Sequence, residues 1–163
     1  MKTVKPIPET YWKIILKRLD RPSRILVIGD LLPQDRKRIP VFADVHWTVN
    51  PTTKVTEIDP IHLVISGKFD LIFSHFELCS LTLTELEKSL LNQSLLLNKK
   101  GRIFHSFWAG FEEGDPQGDY FLQHQKNGLR DLFEMNYDLK KLKFFAQETA
   151  KDALMVEAKA ISV

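Results

Sequence analysis

Four consecutive apolar residues, Ile25 to Ile28, stand between Arg24 and Gly29 in the stretch "RILVIGDLLP". A strand with one wet face alternates apolar and polar residues. An unbroken apolar run has both faces buried, as in a strand inside a mostly parallel sheet with helices on either side. This run therefore sets the architecture, and the rest of the chain must supply neighbouring strands and covering helices. The glycine that ends it raises a second question. Turns that cradle a nucleotide or cofactor at this place carry two or three glycines. Here Gly29 stands alone, followed by Leu31 and Pro33.

The remaining elements follow from pattern. In "ETYWKIILKRL", Trp12, Ile15, Leu16 and Leu19 recur at helical spacing, and Pro22 closes the segment. "LLPQDRKRIPVFAD" has room only for a short helix between Pro33 and Pro40. "VHWTVNP" reads as a second strand, "KVTEIDP" as a shorter third and "FDLIFSHF" as a fourth. "SLTLTELEKSLLNQSLLLN" is the clearest helix: Thr82 and Glu85 have capping-box spacing, and Leu83, Leu86, Leu90 and Leu91 line one side. "KKGRIFHSF" is a fifth strand, and a polar loop "EEGDPQGD" and a short helix around "NGLRDLFEM" follow. The end holds two extended runs, the second alternating Leu154, Val156, Ala158 and Ala160 with Met155, Glu157, Lys159 and Ile161, which fits a strand pair at the end of the sheet. The expected fold is α/β, Rossmann-like, with a mostly parallel central sheet, an antiparallel last strand and helices on both faces.

Size and composition narrow the function classes. A chain of 163 residues suits one domain, taken here as 1–163 with residues 1–22 as a leading helix packed on it. A formal net charge of +2 gives no electrostatic footprint for nucleic acid, so "DRKR" (Asp35 to Arg38) and the pair Lys140 and Lys141 read as solvated faces. The single cysteine, Cys79, excludes an internal disulfide and a cysteine-based zinc cage. His46, His62, His75, His105 and His124 show no pair at ligand spacing, so no metal site is expected. The N-terminus lacks a signal-peptide pattern and no run is long enough for a membrane span, which makes a cytoplasmic, membrane-free protein the expectation.

Three stretches taken together resemble the class I S-adenosylmethionine-dependent methyltransferases from about Tyr11 onward: "GKFDLIFSHFELCSL", "LEKSLLNQSLLLNKKGRIFHSF" and "GLRDLFEMNYDLKKLKFF…ALMVEAKAI". They resemble the family's fourth strand, its next helix and fifth strand, and its closing helix with the reversed sixth and seventh strands. The first strand departs from that pattern, which places an acid two residues before a G-x-G-x-G turn. Val27 stands at the acid position, and Leu31 and Pro33 replace the second and third glycines. A leucine there brings a Cβ and side chain into the room for the methionine and ribose parts of the cofactor, and a proline removes a backbone donor. Asn50 stands where the family keeps a ribose-binding acid, and the connections between the first and second strands and between the third and fourth are short for crossover helices.

Ligands in such folds bind beyond the carboxyl ends of the strands, near the switch in strand order. If S-adenosylmethionine is bound, the resemblance implies Gly29, Asp30, Asn50, Asp59 and Ser74 as the residues that hold it. Asp59 equally reads as a turn cap before Pro60. His75 and His105 are the candidates for acid–base chemistry. In the packing alternative, Phe76, Leu78 and Cys79 enter the core while His75 and Glu77 face solvent. Phe107, Trp108 and Phe111 form an aromatic group that reads as a substrate or partner surface, or as cover for the sheet end. Two functions stay open. One is a methyltransferase-like protein with a degenerate cofactor turn that works by binding, as a homo-oligomer or a partner subunit. The other is a divergent active methyltransferase on a small molecule.

Overall fold

The structure is a computed structural model describing residues 4–19, 23–109, 126–147 and 152–161. Six strands form one sheet in the order β2-β1-β3-β4-β6-β5. They are β1 (Arg24–Val27), β2 (Asp44–Trp47), β3 (Phe69–His75), β4 (Leu97–Trp108), β5 (Tyr137–Phe145) and β6 (Ala153–Ala160). The first four run parallel, and β6 lies antiparallel between β4 and β5. The chain leaves β1 toward β2 on one side and β3 toward β4 on the other, so the switch in strand order falls between β1 and β3. The α/β expectation, with a mostly parallel sheet and one reversed strand, holds.

The helices are α1 (Glu9–Arg18), α2 (Pro33–Arg36), α3 (Leu83–Leu96) and α4 (Lys126–Glu134). The capping box of α3 forms in full: Thr82 Oγ1 accepts from the Glu85 N–H at 3.2 Å, and Glu85 Oε1 accepts from the Thr82 N–H at 3.0 Å. Its inward residues, Leu86, Ser89, Leu90 and Gln93, keep the i, i+3, i+4, i+7 spacing of one helical face. α1 meets the opposite face, where Trp12 sets its ring edge-on to Phe73 at 6.2 Å. Adjacent residues of a strand point to opposite faces. Phe73 therefore faces α1 while Ser74 faces α3, and helices lie on both faces.

Two sequence expectations are corrected and a third holds. "KVTEIDP" forms no strand: it makes an isolated antiparallel bridge, Val49 to Thr56, and a few backbone bonds to Thr48 and Asn50. Asn50 takes the N–H groups of Thr52 and Thr53, and Lys54 adopts φ +62°, so side-chain bonds turn the backbone away from an extended path. The strand pair at the end of the sheet is present: β5 and β6 pair antiparallel, and the β6 residues from Ala153 to Ala158 are all buried because that strand is inserted between β4 and β5. Finally, the carboxylate of Asp35 is 1% exposed rather than solvated. It accepts the Ile7 N–H at 3.1 Å and the Trp12 Nε1–H at 2.9 Å, pinning the N-terminal segment to α2.

Candidate functional site

β1 ends by running into Gly29, which adopts φ +83°, a conformation that costs L-residues energy and glycine nothing. Its N–H donates to Thr48 Oγ1 at 2.6 Å. On the other side of the switch point, β3 ends at Phe76, which takes φ +66° although it carries a bulky side chain. Its ring stacks on Trp108 at 4.2 Å with an interplanar angle of 21°, and this buried contact holds the strained turn in place. The turn sends the next residue, Glu77, back across the crevice toward β1.

Glu77 lies directly on Gly29. A Cβ added to the glycine would sit 2.0 Å from Glu77 Cγ and 2.7 Å from its Oε2, while Glu77 Oε1 accepts from the Asp30 N–H at 3.3 Å. Burial of the carboxyl group raises its pKa; the Asp30 N–H lowers it and the Asp30 charge raises it again. Glu77 is exposed, as the packing alternative has it. Its contact with Gly29 carries no local sequence signal, because its direction comes from the turn at Phe76.

The residues expected to hold a cofactor bond within the chain. Asp30 Oδ2 pairs with Lys54 Nζ at 2.5 Å, and its Oδ1 accepts from the Leu31 N–H at 2.9 Å. Asn50 spends Oδ1 on Thr52 and Thr53 and donates Nδ2 to Glu57 Oε1 at 3.0 Å. Asp59 caps the following turn through the Ile61 N–H at 2.8 Å and bonds His62 Nδ1 at 2.6 Å; these bonds, His62 first, lower its pKa. The structure thus gathers Gly29, Asp30, Lys54 and Glu77 at the switch point. Asn50 pairs with Glu57, and Asp59 turns to its own loop. Leu31 is buried in the core cluster, and Pro33 opens α2 at a position that needs no N–H donor. The bulk over the glycine comes from Glu77.

Ser74 faces away from this crevice, into a buried chain of hydrogen bonds. Its Oγ lies 2.6 Å from His105 Nδ1, His105 Nε2 lies 2.6 Å from Gln93 Oε1, Gln93 Nε2 donates to Ser89 Oγ at 3.1 Å, and Ser89 donates to the Pro60 carbonyl at 2.6 Å. The last link fixes the others. A carbonyl only accepts, so the one Ser89 proton goes to Pro60, Ser89 accepts from Gln93, and Gln93 Oε1 accepts the His105 Nε2 proton. His105 is then neutral with Nδ1 accepting from Ser74. Burial alone pushes its pKa from 6.5 down to about 3.

His75 is buried too, where sequence reasoning set it in solvent. Its Nε2 donates to the Lys5 carbonyl at 2.7 Å and its Nδ1 lies 3.0 Å from Ser106 Oγ. Burial lowers its pKa against the raising effects of the Lys5 carbonyl and the Asp35 charge. Lys5 also donates its N–H to Gln147 Oε1 at 2.6 Å, so the N-terminal segment lies across the carboxyl ends of β3 and β4. Both histidines are structural partners of buried groups in this arrangement.

Phe107 and Trp108 are in the core, 0% and 1% exposed, and Phe107 meets Phe133 of α4 edge-on at 6.0 Å. Phe111 and His124 lie outside the described residues. Cys79 is buried, and its Sγ accepts from the Trp108 N–H at 3.4 Å. A cavity of about 10 Å³ beneath α1, bordered by Tyr11, Phe73, Ser74 and Ser106, has room for one water. Among the described residues no helix is long and apolar enough to cross a membrane, and no group of three His, Cys, Asp or Glu is placed to hold a metal ion.

No protein-family model and no curated protein matches the sequence. Solved structures match its fold. The chain is similar to 1,6-didemethyltoxoflavin-N1-methyltransferase of Burkholderia thailandensis, solved with 1,6-didemethyltoxoflavin and S-adenosylhomocysteine: TM-score 0.75, 15% identity, covering 94% of this chain and 78% of that one. An S-adenosylmethionine-dependent methyltransferase from Clostridium acetobutylicum gives TM-score 0.69 at 8% identity, over 94% and 92%. The N-methyltransferase NodS of Bradyrhizobium japonicum, solved with S-adenosylhomocysteine, gives 0.63 at 11%, over 94% and 87%. These likenesses establish one thing, the fold: this chain has the Rossmann-like fold of the class I methyltransferases.

Proposed function

We propose that this chain carries the methyltransferase fold without the methyltransferase reaction, and works as a binding protein or partner subunit. The observation that carries the reading is Glu77 lying on Gly29. A glycine serves a cofactor turn by letting the ligand rest on bare main chain. Here that surface is taken by the chain's own carboxylate, and the acceptors that would receive the ribose and adenine are spent on Lys54, Thr52, Thr53 and His62. The residues present do not fit S-adenosylmethionine. We place the protein in the cytoplasm as a single domain of residues 1–163, with a protein partner or a second copy as its target.

The rival reading is a divergent methyltransferase acting on a small molecule. It is favoured by the retained positive φ of Gly29 and by structural neighbours that hold S-adenosylhomocysteine. Thermal unfolding separates the two. A ligand bound at a hundred times its Kd stabilises a fold by about 2.7 kcal/mol, which for a chain of this size raises Tm by about 5–10 °C. The reading predicts an unchanged Tm with ~1 mM S-adenosylmethionine or S-adenosylhomocysteine. A rise of several degrees with either one favours the enzyme.

A further inference from the structure

Among the described residues β5 is the last strand of the sheet, with β6 as its single neighbour, so one row of its backbone N–H and C=O groups faces away from the sheet. α1 runs beside it. Tyr11 sets its ring edge-on to Phe145 at 5.3 Å, and Arg18 lies 3.6 Å from Glu157, which is the β6 residue opposite Lys141. Lys141, Lys143 and Phe145 fall at every second position with no bulge between them, so they share the face that meets α1. A helix flank and an open strand edge thus border one groove, with Tyr11 and Ile14 half-buried along it and Phe145 beneath.

The charge along β5 is mostly positive: its one carboxylate, Asp138, pairs with Lys140 at 2.7 Å. Among the described residues Lys141 and Lys143 form no ion pair, and the carboxylate opposite Lys141, Glu157, is buried and meets Arg18 and Arg102. On the opposite face of β5, Phe144 is 39% exposed with Lys126 Nζ 5.2 Å from its ring centre. Two copies of this edge placed side by side would set lysines against lysines, which disfavours self-pairing. The same lysines admit a strand of opposite charge.

We propose that the β5 edge and the α1 flank form a docking groove for an extended acidic segment of a partner protein. The segment adds a strand to β5 through main-chain hydrogen bonds. Its carboxylates, at alternate positions, face Lys141 and Lys143, and the residues between them face Phe144. This rests on the reading of the chain as a binding protein.

The test uses the full chain and a short fluorescein-labelled peptide alternating glutamate and valine. The expected result is a saturable rise in anisotropy that weakens with salt. It should fall about tenfold or more with the K141E/K143E double variant. It should fall comparably, with the protein untouched, when alternate peptide amides are N-methylated, because methylation removes the edge bonds and keeps the charge. No binding, equal binding of a lysine–valine peptide, or undiminished binding of the N-methylated peptide overturns the groove. Equal capture of a heparin or RNA fragment, marking a general polyanion surface, overturns it as well. Failure of the peptide alongside an unchanged Tm with S-adenosylhomocysteine removes this surface alone; a raised Tm removes the binding-protein reading whatever the peptide does.

Discussion

At the residue scale, Gly29 and Glu77 are one unit. The glycine holds φ +83°, and the carboxylate of Glu77 occupies the space a side chain at that position would need. Gly29→Ala therefore combines two costs, about 1–2 kcal/mol for the left-handed backbone and a further term for displacing Glu77. Denaturant unfolding of the two single variants and the double variant separates them. We expect Gly29→Ala to cost about 1 kcal/mol less in the Glu77→Ala background than in the native one. Additive effects would mean that Glu77 does not rest on the glycine in solution. Neither half of this pair was fully legible. The lone glycine marked a turn that had lost its companions, but Leu31 and Pro33 were expected to supply the bulk. Glu77 arrives from another strand, over a turn at Phe76 that no adjacent residue type announces.

At the level of elements, β3, β4, α3 and the loop at Pro60 are joined by the Ser74–His105–Gln93–Ser89 chain, and that chain has a pH signature. In the unfolded protein His105 takes up a proton below about pH 6.5; in the fold it stays neutral down to about 3. Its contribution is therefore complete above pH 6.5 and is lost as pH falls from there. The slope is up to about 1.4 kcal/mol per unit. His75, also lowered by burial, acts in the same sense, while the raised carboxyl of Glu77 acts in the opposite one. Urea unfolding should lose about 2 kcal/mol between pH 6.5 and 5, before most carboxylates titrate. A flat profile would contradict the buried, neutral assignment. Elements with a strong local signal were readable: the capping box fixed the start of α3, and the unbroken apolar run gave β1. The misread one depended on neighbours. "KVTEIDP" has strand-like alternation, yet the side-chain bonds of Asn50 turn it.

On the scale of the whole molecule, the sheet order and helix placement reproduce the methyltransferase fold, while the crevice at its switch point is lined by groups already bonded to one another. The fold was legible because buried strands and amphipathic helices are written in local periodicity. The state of the crevice was not, because it depends on which side chains meet across the switch point, and Asp30, Lys54 and Glu77 meet from positions distant in sequence. We propose that the chain's own side chains fill the place of the sulfonium cofactor. Isothermal titration calorimetry of S-adenosylhomocysteine into the full chain should then give no saturable heat up to ~1 mM ligand. A one-to-one isotherm with Kd in the micromolar range, abolished by blocking the face of Gly29, would contradict it.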